Sequence, residues 1–104
     1  MDDNRLKALK MALEDNPEDS FSRYALGLEY SSASMTDEAK KEFEDLISRD
    51  PNYLAAYYQL GKVYEASGET DLARKAFEKG IYVAASQNDM HTKGELEEAL
   101  DELF

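Results

Sequence analysis

Histidine and cysteine, which often serve in nucleophilic catalysis and zinc binding, are scarce in this 104-residue chain. His91 is its only histidine, and there is no cysteine. An imidazole can act as a general base beside a nucleophile, or bind a metal ion together with other donors. No motif places a serine, a carboxylate or a second ligand beside His91. We therefore expect it to be an exposed residue at a turn, and we predict neither catalytic residues nor a metal site.

Carboxylates crowd the C-terminal end of the chain. The run consists of Glu95, Glu97, Glu98, Asp101 and Glu102. A calcium loop would need the order Asp-x-Asp-x-Asp-Gly, which does not occur. The five glycines are scattered, so no phosphate-binding loop is expected either. The run is interpreted as a solvated helix face, and the sequence predicts a protein that is not an enzyme and needs no cofactor.

The net charge is strongly negative, because 12 Lys and Arg residues oppose 23 Asp and Glu residues, which gives −11. Binding to phosphate backbones requires Lys and Arg to replace counterions, so nucleic acid and anionic membranes are not expected as partners. A basic peptide or basic protein face is favoured on encounter. Solubility or a salt-rich environment would explain the charge equally well. The N-terminus lacks a secretory signal pattern, and no apolar run reaches the roughly 18 residues of a membrane span, so a cytoplasmic protein is expected.

The central part of the sequence contains a repeated pattern of residues. Leu26-Gly27 recurs as Leu60-Gly61, 34 residues later. At the same offset Tyr30 recurs as Tyr64, Ala39 as Ala73 and Phe43 as Phe77. The apolar residues within each period recur at helical spacing. The pattern predicts an all-α chain in which a helix–turn–helix unit occurs twice.

Boundary signals divide the chain further. Asn16-Pro17 and Asp50-Pro51 each suggest an N-cap followed by proline in the first turn of a helix. Thr36 and Thr70 suggest caps for the second helix of each pair, and Gly68 a helix end. The prediction is a single domain over 1–104, with a leading helix in 1–15, repeats over 20–53 and 54–87, and a capping helix in 89–104.

The motif resembles the tetratricopeptide repeat, whose signature is W-x₂-L-G-x₂-Y, then A-x₃-F, then P. The first repeat has Arg23 in place of the aromatic residue, and the second has Ala85 in place of the proline. The resemblance implies an α-solenoid of about six antiparallel helices. Small residues at Gly27 and Gly61, facing Ala39 and Ala73, would let paired helices approach closely. Arg23 predicts looser packing in repeat one, and Ala85 predicts a longer fifth helix.

The resemblance also implies binding of a protein or peptide through a concave face formed by the first helix of each repeat. The positions on that face are Phe21, Tyr24, Leu28, Ser31 and Ser32 in repeat one, and Ala55, Tyr58, Lys62, Glu65 and Ala66 in repeat two. The candidate binding residues are Phe21, Tyr24, Leu28, Ser31, Tyr58, Lys62 and Glu65, with Lys62 as the one cation. Alternatively, these aromatic side chains pack against the terminal helices.

A subfamily binds acidic chaperone tails with a clamp of Lys, Asn and Arg. Its Lys and Asn would fall at Tyr24 and Leu28, so this ligand is not predicted.

The function predicted from the sequence is a non-catalytic interaction module for an unknown protein or peptide, with a basic partner as one option. A structural unit that self-associates through its terminal helices is the alternative, with Phe104 and the stripe Leu96, Leu100 and Leu103 as the contact surface. A monomer or a weak homodimer is expected.

Overall fold

The computed structural model describes residues 3–104, and they form helices with no strand among them. Met1 and Asp2, which the sequence analysis assigned to the leading segment, lie outside the described residues. The helices are α1 (Asp3–Asp15), α2 (Ser20–Ser32), α3 (Thr36–Arg49), α4 (Leu54–Ala66), α5 (Thr70–Ser86) and α6 (Met90–Glu102). The predicted all-α architecture of six helices is confirmed.

The helices form two compact units, which divide between Tyr53 and Leu54. The first unit contains α1, α2 and α3, and the second contains α4, α5 and α6. In the first, α2 packs against both α1 and α3; in the second, α5 packs against both α4 and α6. Each unit therefore has its own core, with Phe43 and Leu46 fully buried in the first and Phe77 and Leu96 in the second.

The predicted starts of several helices are wrong. Asn16 and Pro17 precede α2 in a turn, in which Oδ1 of Asn16 accepts a hydrogen bond from the backbone N–H of Glu18 at 3.1 Å. The N-cap of α2 is Asp19, whose carboxylate accepts from the N–H of Ser22. An Asn side chain can close a turn of its own as readily as it caps a helix, and here it does the former.

The other cap predictions fail in similar ways. Pro51 also lies in a turn, and α4 begins only at Leu54. Thr36 and Thr70 are the first residues of their helices, after Met35 and Glu69, and neither of these N-caps makes a side-chain capping bond.

The helix ends follow the predicted period. Ser34 and Gly68, one repeat apart, both have positive φ, at 59° and 75°. The N–H groups of Met35 and Glu69 then bond to the carbonyls of Tyr30 and Tyr64, at 2.8 and 2.9 Å. This arrangement satisfies carbonyl groups that a helix end leaves unpaired. Gly68 therefore ends α4 as predicted, and the 17-residue α5 exceeds the 14 residues of α3, as the missing proline predicted.

Paired helices approach closely at the two signature glycines, but the group opposite is larger than predicted. A Cβ atom on Gly27 would lie 2.5 Å from Cε1 of Phe43, and one on Gly61 would likewise overlap the ring of Phe77. The nearest neighbours of both glycines are therefore phenyl rings rather than the methyl groups of Ala39 and Ala73. Each ring fills the space that a side chain would take, which anchors the second helix of the pair on the first.

Candidate functional site

The start of α2 is held in place by polar contacts within the first unit. Asp19 caps the helix by accepting from the Ser22 hydroxyl at 2.7 Å and from its N–H at 3.1 Å. These bonds favour the ionised carboxylate and lower the pKa of Asp19, the hydroxyl contributing most. The Ser20 hydroxyl donates to Oδ2 of Asp50 at 2.8 Å. The first turn of α2, which carries Phe21 and directly precedes Tyr24, is thereby fixed to the turn that follows α3.

Aromatic side chains gather around Tyr24 in the first unit. Its ring centroid lies 6.0 Å from that of Phe43 and 5.4 Å from that of Tyr53, both in tilted orientations. Burial is the main cause that raises the pKa of Tyr53, and the nearby Tyr24, Asp50 and Asp19 add to it. Tyr53 was not among the residues predicted from the sequence. Its position directly before the second repeat was the only available signal.

The other predicted residues of α2 differ in exposure. Phe21 is 71% exposed, whereas Leu28 and Ser31 are half-buried. An exposed phenylalanine beside a half-buried tyrosine gives this face of α2 an apolar, aromatic surface. Such side chains bury a large area on binding and lose little conformational entropy.

In the second unit, Tyr58 packs on Phe77 with ring centroids 6.2 Å apart. Its ring also lines a depression of about 140 Å³. We call this feature the α6 depression; it is lined by Tyr58, Glu95, Glu98, Ala99 and Glu102. Tyr58 therefore lies beside the C-terminal helix α6, as in the alternative in which the aromatic residues contact a terminal helix. Tyr24 instead contacts rings from α3 and from the turn after it.

Lys62, the one cation among the predicted binding residues, has an acidic partner on its own helix. Its Nζ lies 3.2 Å from Oε1 of Glu65, one helical turn away. The hydrogen bond to Glu65 is the largest cause that raises the pKa of Lys62, and the charges of Glu65, Tyr58 and Glu102 contribute further. The two predicted site residues Lys62 and Glu65 are therefore brought together as an ion pair, and this part of α4 carries no excess positive charge.

Arg23, which replaces the aromatic residue of the signature in repeat one, is held by polar contacts; the looser packing expected around it stays a prediction. The residue is only 9% exposed. Its Nη1 donates to Oε1 of Glu42 at 3.0 Å and lies 3.8 Å from Oδ2 of Asp45, while Nη2 donates to the carbonyl of Pro17 at 3.1 Å. A guanidinium replaces the aromatic ring of the signature and is held by three groups. It links α2 to α3 through charge and to the preceding turn through the backbone.

The same arginine borders an open cavity of about 290 Å³ in the first unit. The lining residues are Lys10, Leu13 and Glu14 of α1, Arg23, Leu26 and Tyr30 of α2, and Glu42 of α3. The cavity contains both charge signs and an apolar floor, so its chemistry does not select one class of ligand.

The histidine and the acidic run that the sequence analysis considered for chemistry lie on the exposed surface of α6. His91 lies on the exposed side of α6, with Nε2 3.5 Å from Oε1 of Glu95. No group of three or more His, Cys, Asp or Glu side chains within 3–104 is placed to hold a metal ion. None of the helices that the structure describes is long and apolar enough to cross a membrane.

The C-terminal stripe proposed for self-association is largely internal. Leu96 is completely buried, and its methyl groups lie about 3 Å from the position of a Cβ atom on Gly80. Leu100 and Leu103 are half-buried. Phe104 alone among the named residues is strongly exposed, at 80%. The stripe therefore attaches α6 to α5, and its buried leucine is not available to a second chain.

Comparison with known proteins agrees with this architecture. The family model described as the tetratricopeptide repeat matches residues 32–93. A comparison with curated proteins gives no match. A tetratricopeptide repeat domain protein from Salinibacter ruber has 38% identity and a TM-score of 0.80, with 85% of this chain and 89% of that one covered.

Two other solved structures are similar. A protein from Bordetella parapertussis has 28% identity and a TM-score of 0.81, covering 94% of this chain and 85% of its own. The TPR2B domain of yeast Sti1, solved as a complex with pHsp70, has 19% identity and a TM-score of 0.88, covering 94% and 78%. The match over most of the chain, the 34-residue period and the glycine–phenylalanine packing all lead to one assignment. The chain belongs to the tetratricopeptide repeat family, which generally provides non-catalytic scaffolds for protein interaction.

Proposed function

We propose that this chain is a non-catalytic module that binds another protein or a peptide, and that the first helix of each repeat, α2 or α4, supplies the binding residues. The observation that carries the proposal is Phe21. Its side chain is 71% exposed on α2, whereas Phe43 and Phe77 are fully buried. An exposed aromatic residue next to a half-buried one is typical of the anchors that dominate binding energy at protein interfaces.

Preorganisation supports the same role. Tyr24 is held by two rings, Phe43 and Tyr53, and the start of α2 is fixed by the capping bonds of Asp19. Rotamers that are already restricted in the free protein lose little entropy on binding. A partner that covers Phe21 would therefore meet a surface that is rigid at Tyr24.

The fold itself is compatible with peptide binding, because the TPR2B domain of yeast Sti1 is solved in complex with pHsp70. The ligand of this chain need not be similar to pHsp70. In the chaperone-binding subfamily, charged and amide clamp residues would stand where this chain has Tyr24 and Leu28. We propose an apolar or aromatic partner segment for α2 rather than an acidic tail.

The charge favours a partner with basic residues. The net charge is −11, and Lys62, the cation of the predicted face, is paired with Glu65. Long-range attraction would therefore accelerate encounter with a basic segment and would weaken as salt is added. A partner with basic residues is compatible with Phe21 as the central binding residue.

The test is affinity capture from extract of the source cells, with identification by mass spectrometry. Captured proteins are compared between the wild type and the double variant Tyr24→Ala/Tyr58→Ala, with Tyr82→Ala as the control because Tyr82 is exposed on α5. We expect the double variant to lose a partner that the control retains, while its helical circular dichroism is unchanged. Equal capture by all three proteins would contradict the proposal.

Self-association remains a second candidate because Phe104 is 80% exposed at the C-terminal end. The burial of Leu96 removes the largest part of the apolar surface that this candidate needs. Sedimentation at several concentrations distinguishes the two. A dimer that Phe104→Ser abolishes would favour self-association, and a strict monomer at high concentration would reject it.

A further inference from the structure

The α6 depression has a composition that suits one class of side chain. Glu95, Glu98 and Glu102 lie at spacings of three and four residues, so their carboxylates share one face of α6. Ala99 lies between them and is nearly buried, and its small side chain leaves the depression open. The opposite wall is the ring of Tyr58. A concave site with an aromatic wall and several carboxylates fits a cation.

The carboxylates are poorly neutralised by their own chain. Glu98 makes no ion pair with any residue that the structure describes. The nearest cationic partner of Glu95 is His91, at 3.5 Å, whose imidazole carries a charge only when protonated. Lys62 is hydrogen-bonded to Glu65 on its own helix, and it also interacts with the charge of Glu102, which leaves Glu95 and Glu98 without a lysine or arginine partner among the described residues. The depression therefore keeps a net negative charge, although it lies beside a lysine.

Tyr58 has fewer aromatic neighbours than its counterpart in the other repeat. Tyr24 is in contact with both Phe43 and Tyr53. Tyr58 occupies the same register position and contacts Phe77, but the position equivalent to Tyr53 is Gln87, which is not aromatic. Phe77 fixes the ring of Tyr58, which then forms the wall of the depression.

We propose that the α6 depression binds the guanidinium group of an arginine in a basic partner segment. A guanidinium is planar, stacks on aromatic rings and presents five donors, so that it can contact Tyr58 and two carboxylates together. The volume of about 140 Å³ exceeds several times the ~30 Å³ of a water molecule in the liquid, which leaves room for this group. This inference rests on the proposed function and names the residue type that the second unit recognises.

The test uses the full chain and two synthetic peptides, acetyl-Ser-Gly-Arg-Gly-Ser-amide and the same peptide with citrulline, the neutral analogue of arginine. Titration is followed by amide chemical shifts. We expect saturable shifts at Tyr58 and along α6 with the arginine peptide, and a dissociation constant at least about tenfold higher with citrulline, since charge-assisted bonds are lost.

Matched variants distinguish binding in the α6 depression from general attraction to the negative charge of the chain. Glu95→Gln/Glu98→Gln removes two carboxylates from the lining, whereas Glu97→Gln/Asp101→Asn removes two exposed carboxylates of the same helix that do not line it. We expect the first pair to weaken the arginine peptide about tenfold or more and the second about twofold or less. Equal effects of the two pairs, or equal binding of arginine and citrulline, would overturn the proposal.

The outcome is independent of the capture experiment. If a partner requires Tyr24 but the arginine peptide does not shift α6, the arginine site is rejected and the proposed function stands. If the arginine peptide binds at α6 but no partner depends on Tyr24 and Tyr58, the depression binds a guanidinium, and the proposal that a protein partner is held through α2 and α4 is rejected.

Discussion

The Nη1 atom of Arg23 lies 3.0 Å from Oε1 of Glu42, and the arginine is only 9% exposed. The second repeat has Tyr57 at the equivalent position, where it is buried. The same buried position is therefore occupied by a member of an ion pair in the first repeat and by an aromatic ring in the second. This difference allows a direct comparison of the two arrangements.

Glu42→Ala should destabilise the chain by about 1–3 kcal/mol, because it leaves a mostly buried guanidinium with fewer partners. Asp45 and the Pro17 carbonyl remain and limit the loss. Arg23→Tyr/Glu42→Leu, which replaces both members of the pair, should change the free energy of unfolding by less than about 1 kcal/mol or increase it, since apolar replacement of a whole buried pair is often neutral. Urea unfolding followed by circular dichroism measures both. An equal loss in the two variants would contradict this account.

The close approach of the paired helices predicts opposite effects at two glycines. Gly61→Ala should cost about 1–3 kcal/mol, because its Cβ would overlap the ring of Phe77 and force the helices apart. Gly94→Ala is the matched control, since nothing lies within 4 Å of the new methyl group in α6. Alanine there should stabilise by about 0.5–1 kcal/mol. Thermal unfolding of both variants would reveal the sign, and a stabilised Gly61→Ala would show that the approach is looser.

The N-cap carboxylates predict a specific pH response. The pKa of Asp19 is lowered mainly by the hydroxyl of Ser22, and that of Asp89 mainly by the backbone N–H of Thr92. A lowered pKa in the folded state means that ionisation stabilises the fold. This contribution is present above the ordinary value of 3.8 and is lost as the pH falls through the lowered pKa.

Substitution of the hydroxyl residues should affect the pKa values of the two N-cap carboxylates to different extents. Ser22→Ala removes the largest contribution at Asp19, whereas Thr92→Val leaves the largest contribution at Asp89. We therefore expect the pKa of Asp19 to rise further in the first variant than that of Asp89 in the second. Carboxyl-carbon NMR titration measures the two values, and the reverse order would show that the backbone bond dominates at both caps.

The sequence predicted the architecture because periodicity and helix ends are local signals. The 34-residue offset placed Gly27 and Gly61, and likewise Phe43 and Phe77, at equivalent positions of the two repeats, and Gly68 marked the end of α4. The cap predictions failed at Asn16 because the same amide oxygen can close a turn instead. Local patterns alone do not decide between two favourable uses of one side chain.

Long-range partners were harder to predict. Arg23 was expected to loosen its repeat because it replaces an aromatic residue. Its partner Glu42 was missed because it lies on another helix and nothing in the local pattern pairs the two residues. Lys62 and Glu65 are different, since their spacing of three residues on one helix could have predicted the ion pair. The α6 depression was beyond prediction because it depends on how α6 packs beside Tyr58.

The central claim is most directly tested at Phe21, whose ring contributes little to the core and is 71% exposed. Its matched control is Tyr82, which is 78% exposed on α5. The measurement is the dissociation constant of the captured partner for Phe21→Ala and Tyr82→Ala by isothermal titration calorimetry. The account predicts at least about a tenfold loss of affinity for Phe21→Ala and about twofold or less for Tyr82→Ala. Unchanged affinity for Phe21→Ala would contradict binding through α2.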